Sequence, residues 1–78
     1  MIDWRSHLMR DPQVCGGELC VKGTRVFVTN ILDSLAEGAK DEEILRSYPT
    51  LRAEHIAAAI AYAAELAREE RLLPLLGS

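Results

Sequence analysis

The sequence predicts a mainly α fold in which a small N-terminal β arm and hairpin precede three helices. Three observations carry that expectation. Turn formers crowd the first 28 residues, among them Asp11-Pro12, Gly16-Gly17 and Lys22-Gly23. From Ile31 onward the apolar residues recur at helical rather than alternating spacing. Eight of the ten alanines fall between positions 53 and 67, where they give strong intrinsic helicity and let another helix approach closely.

The elements follow in order. Residues 1–17 read as an arm with short extended pieces, pinned by Trp4, Leu8 and Met9. Asp11 ahead of Pro12 suits a turn, because proline disfavours the helical region for its predecessor and an Asp side chain accepts from backbone amides further on. Leu19-Cys20-Val21 and residues 24–28 read as two strands around Lys22-Gly23, with Val26 and Val28 on one face and Arg25 and Phe27 on the other. Thr29 suits the N-cap of a first helix over about 30–37 that carries Ile31, Leu32 and Leu35, and Gly38 stands where a left-handed residue ends it. Asp41, Glu42 and Glu43 favour the first turn of a second helix with Ile44, Leu45 and Tyr48 buried and Pro49 as its stop. A third helix runs to about Arg71, with one apolar stripe of Ile56, Ile60, Ala63 and Ala67 and a neighbouring one of Ala59, Tyr62 and Leu66. The predicted organisation is a single domain over 1–71, divided into a β arm and hairpin (1–28) and a tri-helical unit (29–71), followed by a leucine-rich tail (72–78).

A chain of 78 residues is near the lower limit for folding alone, so a disulfide, a metal or self-association is expected to supplement the core. Cys15 and Cys20 are the only thiols, and no leader of secretory type precedes them, so the expectation is a cytoplasmic chain with both thiols reduced. Cys15, Cys20, His7 and His55 match zinc by ligand type, but their spacing fits no standard knuckle or ribbon. Self-association remains, and a homodimer or higher oligomer is expected. No apolar run approaches the roughly 20 residues of a membrane span.

Net charge is −3, so no bulk positive field favours nucleic acid, and the slight basic excess lies within the first 30 residues. Three helices with a tight turn before the last match a helix-turn-helix layout. The start of the last helix offers Arg52, Ala53, Glu54 and His55, which makes a sparse reading head, since base edges are recognised by Arg, Asn, Gln or Ser. No nucleophile with a base, phosphate loop or paired carboxylate among apolar residues stands out, so no catalytic residue, no metal ligand and no cofactor is assigned, and an enzyme is not expected.

The stretch Asp11-Pro12-Gln13-Val14-Cys15-Gly16-Gly17, followed by Val21-Lys22-Gly23-Thr24-Arg25-Val26, resembles the prokaryotic domain-of-unknown-function family 433. The pattern continues through Val28, Ile31, Leu35, Gly38, Glu43-Ile44-Leu45, Tyr48-Pro49, Leu51, Ile56, Ala59 and Ala61-Tyr62-Ala63, so the resemblance covers about residues 2–66. Leu19 and Phe27 stand where the family tends to have proline. Arg52 stands where the last helix usually starts with Ser or Thr, leaving Thr50 as the substitute cap, and Lys40 replaces another capping hydroxyl.

The resemblance implies a homeodomain-like tri-helical body and an antitoxin-like role in a type II toxin-antitoxin pair, beside a PIN-like ribonuclease toxin. Such nucleases hold Mg²⁺ or Mn²⁺ with clustered carboxylates, so a partner silences them by filling the groove and offering a cation. Leu66, Arg68, Arg71, Leu72, Leu73, Leu75 and Leu76 are the residues expected to bind the toxin. Operator DNA is the second implied partner, and Lys22, Arg25, Arg46, Arg52 and His55 are the candidates for it, two copies being needed to offset the acidic chain. A stand-alone helix-turn-helix regulator and a small dimeric interaction module are the alternatives.

Overall fold

The computed structural model describes residues 2–70, in which an antiparallel two-stranded hairpin leads into three helices. Strand β1 is Leu8–Asp11 and β2 is Val14–Val21. Helix α1 is Val28–Ala36, α2 is Asp41–Ser47 and α3 is Ala53–Glu70. Arg71, Leu72, Leu73, Leu75 and Leu76 lie outside the described residues.

The hairpin corrects the one expected. Asp11 Oδ1 accepts the Gln13 amide at 2.9 Å, an Asx turn that, with Pro12 fixing its own φ, reverses the chain between β1 and β2. Leu8 then pairs with Val21, Met9 with Cys20 and Arg10 with Leu19. Residues 24–28 form no strand. The Thr24 hydroxyl donates to the Val21 carbonyl at 2.9 Å and accepts the Val26 amide at 3.0 Å, a tight local loop that leaves one bridge, Cys20 to Phe27. Val28 therefore opens α1 rather than sharing a strand face with Val26.

Helix ends follow local chemistry. Phe27, not Thr29, occupies the N-cap of α1, with no side chain capping it. At the other end the Gly38 amide donates to Leu35 and the Ala39 amide to Ser34, both at 3.0 Å, a Schellman motif that needs the positive φ of Gly38 (95°). The Glu43 carboxylate reaches back to accept the Lys40 amide at 2.9 Å, so α2 is capped without the hydroxyl that position 40 lacks. Asp41, Glu42 and Glu43 all sit in its first turn, as the helix dipole favours.

The core is one cluster of Leu8, Val21, Val28, Ile31, Ile44, Leu51, Ile56, Ala58 and Ala59, so hairpin and helices share it. Ile60 departs from the expected buried stripe and is 49% exposed. Ile56 lies at the edge of the buried face, and four residues advance a helix by about 40° beyond a full turn, which carries Ile60 out to solvent. Ahead of β1, Asp3 caps a short 3-10 helix, Trp4–Ser6, by accepting the Arg5 amide and the Ser6 hydroxyl. Trp4 meets Tyr62 edge-on at 5.0 Å, and the Arg5 guanidinium lies 4.3 Å over the Trp4 ring while bonding Glu65 at 3.0 Å. The first described residues are thus tied to α3.

Candidate partner-binding site

Two regions hold most of the described residues to which the sequence assigned partners. The first is the start of α3. The Arg52 amide donates to His55 Nδ1 at 2.9 Å, so the imidazole takes the place that Glu or Gln fills in a capping box, and Thr50 is not the cap. The spacing of Arg52 and His55 is that of N-cap and N3, a signal present in the sequence and hidden by the residue type. Burial holds the His55 imidazole below the usual histidine range; Glu54 opposes that shift, and His7 and Arg52 add to it. The neutral ring this favours is the form that accepts the Arg52 amide.

His55 also meets His7, with ring centroids 5.8 Å apart, and the His7 carbonyl accepts the Lys22 amide at 2.8 Å. The loop that carries Lys22 is therefore joined through two imidazoles to the turn that carries Arg52. Both cations are exposed. Arg25 and Arg46 are exposed as well, on the loop before α1 and in the last turn of α2, and no described hydrogen bond or ion pair joins them to this group. The outward face of α3 beside it carries Ala53, Glu54, Ala57 and Ile60, which offer a base edge no donor.

The second region is the far end of α3. Leu66, Ala67, Arg68 and Glu69 are all exposed, and Leu66 at 39% is, with Ile60, one of two exposed large hydrophobic residues among those described. Leu66 continues the line of Ala59 and Tyr62 past the point where the body covers it. Arg68 makes no described ion pair. The remaining residues assigned to this surface, from Arg71 onward, fall outside the described residues.

Among the described residues no group of three or more His, Cys, Asp and Glu is placed to hold a metal ion, and no helix is long and apolar enough to cross a membrane. The profile of the family described as "Protein of unknown function (DUF433)" matches residues 9–63, from β1 into the middle of α3. The chain belongs to the DUF433 family. Uncharacterized protein y4eO of Sinorhizobium fredii is 39% identical over 59 residues, a match covering 76% of this chain and 27% of that protein. A DUF433 member protein from Anabaena variabilis, known from its crystal structure, superposes with a TM-score of 0.70 at 34% identity over 80% of this chain and 61% of that one. The chain thus spans about a quarter of the one relative and under two thirds of the other. The family match stops at residue 63, so the exposed end of α3 lies beyond it.

Proposed function

We propose that this DUF433 chain is the antitoxin-like member of a toxin-antitoxin pair and silences a PIN-like ribonuclease by occupying its active-site groove. The observation that carries the reading is the far end of α3, where Leu66 and Arg68 are exposed and lead in sequence into Arg71, Leu72, Leu73, Leu75 and Leu76. Leucines anchor to an apolar groove wall, and an arginine offers a planar, permanently charged fork to clustered carboxylates. Seating those leucines against a partner would add apolar burial to a chain whose own core is small.

Co-expression of this chain with the product of the neighbouring reading frame tests the proposal. The full chain is expected to form a stable complex and restore growth, and a chain lacking residues 66–78 to do neither. Full rescue by the truncated chain sinks it.

Autoregulation on operator DNA is the second part of the proposal, favoured by the linkage of Lys22 to Arg52 through His7 and His55. The donor-free outward face of α3 argues that such binding contacts phosphates rather than base edges. Its affinity should then fall steeply with salt, and a mobility shift at two salt concentrations, with and without the toxin, reads this directly. A homodimer packed through Ala53, Ala57 and Ile60 would supply the two half-sites, and sedimentation of Ile60→Glu against the natural chain checks that arrangement.

A further inference from the structure

Strand β2 holds a feature that the proposed function does not use. Asp11 pairs with Val14 and the adjacent Arg10 with Leu19, so residues 15–18 bulge out and the feet of the bulge, Val14 and Leu19, stand on neighbouring rungs of the sheet. Cys15 begins this bulge, and Cys20 follows its far foot. Cys15, Gly16 and Gly17 all have positive φ, at 56°, 62° and 85°. Glycine adopts that region freely, but a cysteine there is strained, and something must hold it. Part of the hold is Arg10, whose guanidinium donates to the Gly17 carbonyl at 3.2 Å. The neck of the bulge is narrow, because Val14 and Leu19 occupy adjacent rungs, and Cys15 and Cys20 are the next residues beyond them. Cys15 is half-buried, whereas Cys20 is fully buried, paired with Met9 and bridged to Phe27.

We propose that Cys15 and Cys20 form a reversible thiol-disulfide pair that locks the β2 bulge when a low-molecular-weight disulfide oxidises it. The Cys15 thiolate attacks the small disulfide and expels one small thiolate, leaving a mixed disulfide on Cys15. Cys20 then loses its proton and attacks the Cys15 sulfur, expelling the second. Two cysteine thiols are oxidised and one small disulfide is reduced to two thiols, so electrons and protons balance. The division of labour follows exposure, because only Cys15 is open to a soluble reagent. Burial first, and then the neighbouring Cys15 and Asp11, push the Cys20 thiol up to about 11. Burial persists in the mixed disulfide, so closure, which needs the Cys20 thiolate, quickens as pH rises. Cys20 bridges to Phe27, the N-cap residue of α1, so the lock connects the hairpin tip to the start of the helical body.

Treating the folded full chain with oxidised glutathione, quenching with iodoacetamide and weighing the product tests the proposal. The expected product has lost two hydrogens, carries no alkyl label and returns to two labelled thiols after dithiothreitol. Cys20→Ser should stop at one glutathione on Cys15, and Cys15→Ser should take none. Two free thiols after treatment, a glutathione adduct that persists on the natural chain, closure only in denaturant, or a disulfide between two chains would each overturn it.

Discussion

The two ends of α3 share one helix and one alanine-rich composition, yet they meet opposite environments. Over its first half Ile56, Ala58, Ala59 and Ala61 are buried against the hairpin and the other helices. Over its last turns Leu66, Ala67, Arg68 and Glu69 face solvent. Composition does not separate the two ends; what does is the body beneath them, since small side chains let a helix pack closely only where another element is there to meet it. The lesson is that a helix can be scaffold at one end and recognition surface at the other without any break in its sequence pattern.

Substitutions at the two ends test that division. Ile56 is 1% exposed, and Ile56→Ala should cost about 2 to 5 kcal/mol, the sum of lost burial and a cavity, read as a large drop in the urea midpoint. At the capped start of the same helix, removing the imidazole in His55→Ala should cost about 1 kcal/mol, as lost caps generally do. The pH dependence there has a definite sign. Burial lowers the His55 value in the folded chain, so the unfolded chain binds the proton more readily; stability is full above the ordinary histidine value near 6.5 and is lost as pH falls through the folded one. Urea midpoints measured from pH 7.5 down to 5 should fall with pH, and His55→Gln, which keeps an acceptor for the Arg52 amide and does not titrate, should flatten that slope. The smallest effect belongs to the far end, where Leu66→Asp should change stability by under about 0.5 kcal/mol. A loss above about 2 kcal/mol there would place Leu66 in the core and erase the contrast between the two ends.

Much of this was legible before the fold was known. Gly38 as a helix terminator, the acidic first turn of α2, Pro49 as its stop and the Asp11-Pro12 turn all act within a few residues, and each took its expected place. The errors share a cause, which is competition from a neighbour that a local pattern does not contain. Residues 24–28 alternate like a strand, but the Thr24 hydroxyl captures the backbone and β2 already has β1 as its partner. Ile60 repeats with Ile56, but it stands about 40° further round the helix, past the edge of the buried face. The capping role of His55 goes unread in the sequence, because an imidazole is an unusual occupant of a capping box. For the partner surfaces, the sequence singled out Leu66 and Arg68, and both prove exposed, while the linkage of Lys22 to Arg52 through two histidines depends on the docking of β1 beside α3.

The Arg5 to Glu65 pair spans 60 residues of chain and, with Trp4 against Tyr62, ties the earliest described segment to the last helix. As a source of stability an exposed ion pair of this kind contributes little. Its weight falls on the order of events during synthesis. Made at about 5 to 20 residues per second, the segment around Trp4 waits roughly 3 to 12 s before the stretch that receives it exists. The hairpin can close within that interval from its own residues, whereas its helical neighbour arrives last. A nascent chain therefore holds the Trp4 indole without its Tyr62 partner until α3 is made, and that interval is when a chaperone or a second nascent copy has its best access to it.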